Sequence, residues 1–144
     1  MTVTDIARTD IVTVDLETPV QELAEIMTDA HVGSVVVTDD TGALAGIVTD
    51  RDLAVYVCRL DRVPEETTAR NVMATDVFTV RDDAGIFDAL SAMADEPVRR
   101  APVVDADGRL RGIVTLDDFV VLLSRELDRV SSIIEAESPP YPAP

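Results

Sequence analysis

The stretch GIVTDRDL at residues 46–53 recurs as GIVTLDDF at residues 112–119, an offset of 66 residues. Held without a gap, this offset matches 16 identical residues over the 49 positions of residues 5–53. Agreement of this length marks an internal repeat, in which each copy is a structural unit too small to bury both faces of its sheet alone. The sequence therefore predicts two units of one fold that pack against each other.

Both copies show the same succession of strand and helix patterns, β-α-β-β-α. Glycine-containing turns at residues 39–42 and 105–108 join two strands with no room for a crossover, so those strands are predicted to be antiparallel. Thr49 and Thr115 stand where the N-cap of the last helix belongs. The predicted strands are residues 11–14, 34–38 and 44–48 in the first copy and residues 77–80, 101–104 and 110–114 in the second.

The repeat also divides the chain. The predicted fold class is α/β, of the α+β kind, with two β-α-β-β-α units related by a pseudo-twofold axis and packed through their sheets. We assign residues 4–58 to the first repeat, 59–69 to the connection, 70–124 to the second repeat, 125–137 to a C-terminal helix extension and 138–144 to a proline-rich, disordered tail.

The charge of the chain excludes one class of partner. Its 12 basic residues, all arginine, face 28 acidic ones, for a net charge of −16. A protein that binds nucleic acid gains affinity by neutralising phosphates with Lys and Arg, so we expect no nucleic-acid partner. The acidity with no lysine fits either a high-salt cytoplasm or a genome biased against lysine codons.

Several remaining features are unremarkable. Cys58 has no second cysteine to pair with, which fits a reducing compartment, and we expect it to be a small apolar residue on a helix. His31 has no cysteine or second histidine nearby, so no metal site is expected. The N-terminus lacks a signal-peptide pattern and no apolar run approaches 18 residues. We therefore expect a soluble, cytoplasmic protein with no membrane partner.

The repeated motifs resemble those of the CBS-domain family, and specifically a tandem pair, or Bateman module. The resemblance rests on the two motifs above with HVGSVVVTDDTGALAGIV at residues 31–48 and APVVDADGRLRGIV at residues 101–114. It implies a regulatory module that binds adenosine-containing ligands such as AMP, ADP, ATP or S-adenosylmethionine in clefts between the repeats. It also implies frequent association as a disc-shaped homodimer, and no catalytic cofactor.

The resemblance makes Asp52 and Asp118 the ribose ligands, with Thr49 and Thr115 beside them. A carboxylate can accept hydrogen bonds from both ribose hydroxyls, and a threonine hydroxyl with free helix N–H groups can contact a phosphate oxygen. The alternative is that the threonines are only N-caps and the aspartates only acids that compensate the helix dipole.

In such pairs each cleft combines the Thr/Asp rim of one repeat with the first buried strand of the other. The first cleft then consists of Ile47, Thr49, Arg51 and Asp52 with Val77, Val98, Arg99, Arg100, Ala101 and Pro102. The second consists of Ile113, Thr115 and Asp118 with Ile11, Val32, Gly33, Ser34 and Val35.

The two predicted clefts differ in charge. Arg99 and Arg100 stand where many family members carry a basic pair that contacts phosphate, whereas the matching Gly33 and Ser34 are neutral. We therefore expect a phosphorylated adenine nucleotide in the first cleft, and in the second either nothing or a ligand of little negative charge. The alternative is that the arginines pair with surface carboxylates such as Glu96.

The leading prediction is a nucleotide-sensing module that signals energy or metabolite status to an unidentified protein partner. The alternative is a structural or interaction protein with degenerate pockets. An enzyme is not expected, because the sequence shows no nucleophile with a base, no metal cluster and no phosphate loop. In the last helix, Leu123, Leu127, Val130 and Ile134 form a short apolar stripe, which we expect to pack on the module itself. If the stripe is exposed, it would instead be a dimer contact.

Overall fold

Each half of the chain builds one three-stranded sheet flanked by helices. The computed structural model describes residues 1–60 and 63–138. Its elements are, after a short 3-10 turn at Val3–Asp5, β1 (Thr13–Asp15), α1 (Val20–Ala30), β2 (Ser34–Thr38), β3 (Leu44–Thr49), α2 (Asp50–Leu60), α3 (Ala69–Val72), β4 (Val80–Arg81), α4 (Ile86–Asp95), β5 (Arg100–Val104), β6 (Leu110–Thr115) and α5 (Leu116–Glu137).

The sheets have the orders β1-β2-β3 and β4-β5-β6. In each, the first pair of strands is parallel and the second antiparallel, with a register irregularity at the same place in both copies. The predicted α/β class with two equivalent sheets is confirmed. The first strands are shorter than predicted, because the ladder of β1 begins only where Thr13 pairs with Val36.

Among the described residues each sheet has its own hydrophobic core, and each core takes a residue from outside its own repeat. Val3, which is fully buried, belongs to the core of the second sheet, and Ala69 belongs to the core of the first. Val36 and Pro102 are buried yet belong to neither core cluster, as expected where two sheets face each other.

The exchange of segments depends on the glycine of the repeated motif. Arg8 exchanges two main-chain hydrogen bonds with Ile113, of 2.9 and 3.0 Å, and Ala74 does the same with Ile47. A Cβ atom on Gly112 would lie 2.9 Å from the carbonyl oxygen of Arg8, and the matching glycine has an equally close neighbour. Glycine at this position therefore lets the first segment of each repeat approach the sheet of the other repeat.

The two hairpin turns, predicted from their Asp and Gly content, are held by aspartates. Asp39 accepts hydrogen bonds from the hydroxyl and N–H of Thr41 at 2.7 and 2.8 Å, and these bonds lower its pKa. The pKa of Asp105 is lowered by hydrogen bonds from Arg109 N–H and Asp107 N–H and by the nearby Arg111 guanidinium. Both turns thus favour the charged carboxylate.

The last helix, α5, runs well past the second sheet. Its 22 residues cover about 33 Å, and Phe119 near its start is buried in the second core. Of the predicted tail, only Ser138 lies within the described residues, and of the predicted connection Asp61 and Arg62 lie outside them. In the described part of the chain, no helix is long and apolar enough to cross a membrane.

Candidate functional site

The points where a strand turns into a helix are built alike in both repeats. Thr49 N–H donates a 2.9 Å hydrogen bond to Asp52 Oδ2, and Asp52 N–H donates one of 3.1 Å to Thr49 Oγ. In the second repeat, the N–H and the hydroxyl of Thr115 donate to Asp118 Oδ2 at 2.8 and 2.7 Å. The capping role is therefore present in both copies, and each cap holds a carboxylate at the start of its helix. We call Thr49 with Asp52 the first rim and Thr115 with Asp118 the second rim.

The two carboxylates differ in a third contact. Arg8 Nε donates a hydrogen bond of 3.1 Å to Asp118 Oδ1, and the side chain of Asp118 is only 11% exposed. The residue that corresponds to Arg8 in the second copy is Ala74, which is held beside the first rim by the same pair of main-chain bonds. The second carboxylate is thus paired with a guanidinium, while the equivalent position near Asp52 carries only a methyl group.

A cavity of about 620 Å³ opens beside the second rim, between the two repeats. Its size suits a ligand as large as a nucleotide. Residues from the first repeat and its preceding segment line one side, and residues around the β5–β6 edge line the other. The lining is Arg8, Asp10, Ile11, Val12, Ala30, His31, Val32, Gly33, Ser34, Val36, Arg99, Arg100, Ile113, Thr115, Leu116 and Asp117.

The lining concentrates positive charge in a strongly negative chain. Three of the 12 arginines lie in it, Arg8, Arg99 and Arg100, against the two aspartates Asp10 and Asp117. Arg100 Nη1 also donates a 2.8 Å hydrogen bond to Ser34 Oγ, which ties the repeats together at the cavity. Arg8 is already paired with Asp118, so the guanidinium groups that favour an anionic ligand here are those of Arg99 and Arg100, which form no salt bridge among the described residues.

Six of the eight residues predicted for the second cleft are brought together in this cavity. Ile11, Val32, Gly33, Ser34, Ile113 and Thr115 all line the cavity. The other two predicted residues, Val35 and Asp118, do not line the cavity. Val35 is buried in the first core, and Asp118 sits beside Arg8, which does line the cavity.

The grouping of Arg99 and Arg100 with the first cleft is corrected by the structure. Both line the cavity at Thr115, because β5 and β6 are antiparallel and Arg100 pairs with Thr115 in their register. The ground for expecting the phosphorylated ligand in the first cleft is therefore removed. The two rims do differ in charge, but the basic pair lies at the second rim, beside Thr115, and not at the first rim, beside Thr49.

The other residues predicted for the first cleft are more dispersed. Arg51 and Asp52 line a separate, shallower cavity of about 400 Å³ on α2, with Tyr56 and Val72. Ala101 and Pro102 are buried in β5. Ile47 pairs with Ala74, and Val77 and Val98 are half-buried.

Sequence reasoning missed Arg8 and His31. Arg8 precedes the predicted strand, and nothing in its local pattern indicates that its segment pairs with the other repeat. His31 ends α1 in the left-handed conformation, at φ 53° and ψ 42°, and lines the cavity. His31 could have been predicted, because it ends a helix and directly precedes Val32, Gly33 and Ser34, which were predicted for the cleft.

Comparisons with known proteins agree with this geometry. The family model of the CBS domain matches residues 3–59 and 69–125. The uncharacterized protein MK0525 of Methanopyrus kandleri is 36% identical over 120 residues, which are 83% of this chain and 61% of that protein. The chain thus spans less than two thirds of that relative.

Two solved structures resemble the chain closely over nearly their whole lengths. CBSX2, solved in complex with AMP, is 30% identical with a TM-score of 0.75, over 88% of this chain and 98% of that one. The CBS domain pair of protein MJ0100, solved with 5′-methylthioadenosine and S-adenosyl-L-methionine, is 25% identical with a TM-score of 0.76, over the same shares.

Proposed function

The chain belongs to the CBS domain family as a tandem pair, and from that premise we propose that it is a regulatory module for an adenosine-containing ligand. The proposed site is the cavity between the repeats that Thr115, Arg99 and Arg100 line. The observation that carries the proposal is the junction of a helix N-terminus, a threonine hydroxyl and an arginine pair in one cavity of nucleotide size.

The chemistry of the lining assigns a part of the ligand to each group. Ile11, Val32 and Ile113 offer apolar surface for a base, and Thr115 with the neighbouring Asp118 provides acceptors for ribose hydroxyls. The guanidinium groups of Arg99 and Arg100 suit a phosphate. This distribution favours an adenine nucleotide such as AMP over S-adenosylmethionine, whose sulfonium charge is positive.

Structures of relatives support the ligand class. CBSX2 is in complex with AMP, and the pair of protein MJ0100 is in complex with 5′-methylthioadenosine and S-adenosyl-L-methionine. All three ligands contain adenosine. For this chain the pair of Arg99 and Arg100 favours the phosphorylated one.

The regulatory part of the proposal follows from where the ligand binds. Because the cavity lies between the repeats, a ligand that favours one arrangement of the repeats over another shifts the population toward it. A protein partner, or a second copy of the module, then responds to that shift. The chain acts as a cytoplasmic sensor in this scheme and not as an enzyme, and its acidic surface suits a high-salt cell.

We propose further that the chain forms a homodimer and that the two copies contact each other through α5. Every third or fourth residue from Val120 to Ile134 is apolar and 40% to 69% exposed, and the residues are Val120, Leu123, Leu127, Val130 and Ile134. Their spacing of 3, 4, 3 and 4 is the heptad pattern of paired helices, and this set is named the α5 seam. It lies about a quarter turn away from the face of α5 that contains Phe119.

A second copy fits the α5 seam in both area and charge. The seam residues and the adjoining Ile133 are 40% to 69% exposed. If a second copy covered them completely, a symmetric pair would bury roughly 1,000 Å², the lower limit for a specific interface. In a parallel pair, Glu126 beside the seam lies across from Ser131 of the second copy. An antiparallel pair with Leu127 opposite Leu123 would bring Glu126 against its own equivalent. The parallel arrangement separates these carboxylates, each of which is also paired with Arg129 of its own chain.

Calorimetric titration with AMP, ATP, adenosine and S-adenosylmethionine tests the ligand proposal. We expect AMP or ATP to bind and to raise the melting temperature in proportion to ln(1 + [L]/Kd). If none of these ligands binds at millimolar concentration, the proposal is wrong and a structural or interaction protein with degenerate pockets is the better description.

A further inference from the structure

We propose that Arg8 makes the cavity selective for phosphorylated nucleosides by competing with the ligand for Asp118. The inference rests on the proposed function, because it concerns the same cavity and the same adenosine-containing class of ligand. It adds a residue that the resemblance does not assign and a reason why the phosphate is required.

Both oxygens of Asp118 already accept hydrogen bonds. Oδ2 accepts two, from the N–H and the hydroxyl of Thr115, and Oδ1 accepts one from Arg8 Nε at 3.1 Å. A carboxylate has about four acceptor positions, and three of those on Asp118 are filled, so only one is open to a ribose diol. The second ribose hydroxyl therefore competes with Arg8 for Oδ1. Because the Asp118 side chain is only 11% exposed, losing the guanidinium without a replacement is costly.

Arg8 is built to change partner without moving its backbone. Its main chain is fixed by two hydrogen bonds to Ile113, and Gly112 permits this close approach. Its side chain, however, is 61% exposed and lines the cavity as well as contacting Asp118. The guanidinium therefore has two possible anionic partners, the Asp118 carboxylate and a phosphate bound in the cavity.

The consequence is a preference that depends on the phosphate. A nucleotide gives Arg8 a new anionic partner, and the released Oδ1 of Asp118 then accepts a ribose hydroxyl. A nucleoside without a phosphate must break the same ion pair to bind through both ribose hydroxyls, and it offers the guanidinium nothing in return. A cationic ligand such as S-adenosylmethionine also meets the charge of Arg99 and Arg100.

The experiment is a calorimetric titration of AMP and of adenosine into the wild type, Arg8→Gln and Arg8→Lys. The control is Arg70→Gln, which removes the same charge from a surface pair with Glu17 whose members do not line the cavity. In the wild type and the control, we expect AMP to bind at least about tenfold more tightly than adenosine.

In Arg8→Gln we expect AMP to bind more weakly and adenosine more tightly, so that the ratio of their affinities falls about tenfold or more. Arg8→Lys, which keeps a cation, retains a ratio close to that of the wild type. An equal loss for both ligands in Arg8→Gln, or an unchanged ratio, would overturn the role of Arg8 and leave the proposed function standing. Failure of both ligands to bind the wild type would overturn the proposed function and this inference together.

Discussion

Arg100 donates a hydrogen bond to Ser34, the residue that occupies the same position one repeat earlier, at a distance of 2.8 Å. A residue and its repeat equivalent can touch only close to the axis that relates the two copies. The bond therefore marks the pseudo-twofold axis, and it shows where the copies have diverged: one contributes a cation and the other a hydroxyl. The two repeats therefore contribute different chemical groups to the cavity at equivalent positions.

The glycine of the repeated motif should be required for stability. Gly112→Ala places a Cβ atom 2.9 Å from Arg8 O, and Gly46→Ala places one 2.7 Å from Ala74 O. We expect each to lower the free energy of unfolding by about 1–3 kcal/mol in urea titrations, because a main-chain contact has to shift. Gly33→Ala is the control, since its Cβ meets nothing closer than 3.6 Å, and an equal loss there would contradict the argument.

The α5 seam should determine the oligomeric state. Leu127→Lys puts a charge at the centre of the seam, where the leucine is 69% exposed in the single chain, and we expect light scattering to show a monomer. Val121→Lys is the matched control, because Val121 is also exposed on α5 but lies off the seam, and this variant should stay dimeric. A wild type that is monomeric, or a dimer that survives Leu127→Lys, would show that the seam does not bind a second copy.

A cross-link tests the parallel orientation of the two helices. Ile134 occupies a seam position near the end of α5, so in a parallel pair it meets Ile134 of the second copy. With Cys58, which is exposed, replaced by serine, Ile134→Cys should form a disulfide-linked dimer under mild oxidation on a non-reducing gel. Efficient cross-linking of Ser131→Cys in place of Ile134→Cys would contradict the parallel seam.

The hairpin turns should lose their stabilising charge in acid. Because the folded pKa of Asp39 is lowered below the usual 3.8, its carboxylate stabilises the fold above that pH, and the effect disappears as the pH falls through the lowered pKa. The difference in melting temperature between the wild type and Asp39→Asn should thus be largest at neutral pH and shrink below pH 3.8. Asp40→Asn, which removes the same charge one residue away, is the control; a difference for Asp39→Asn that does not change with pH would refute the argument.

The repeat made most of the fold predictable. The strands of both antiparallel hairpins and the helices that follow Thr49 and Thr115 lie within a residue or two of their predicted positions. The exchange of the segments around Arg8 and Ala74 was not predictable, because it consists of isolated pairs between distant residues with no hydrophobic period to indicate them.

The misplacement of the arginine pair was avoidable. The predicted β5–β6 hairpin already brings Arg100, which directly precedes its first strand, to the end of the hairpin where Thr115 follows its second strand, and hence to the second rim. The exact pairing of Arg100 with Thr115 depends on the register irregularity between Val103 and Val104. The contact between Arg8 and Asp118 was out of reach, since a side-chain ion pair across 110 residues leaves no signal in one sequence.

The most direct test of the account is a calorimetric titration of AMP into the wild type, Arg100→Gln and Arg125→Gln. Arg125 is an exposed arginine on α5 that does not line the cavity, so its replacement removes the same charge from another surface. We predict that AMP binds the wild type and Arg125→Gln with equal affinity and binds Arg100→Gln about tenfold or more weakly. Equal affinity for all three proteins would contradict the assignment of the nucleotide to the cavity at Thr115.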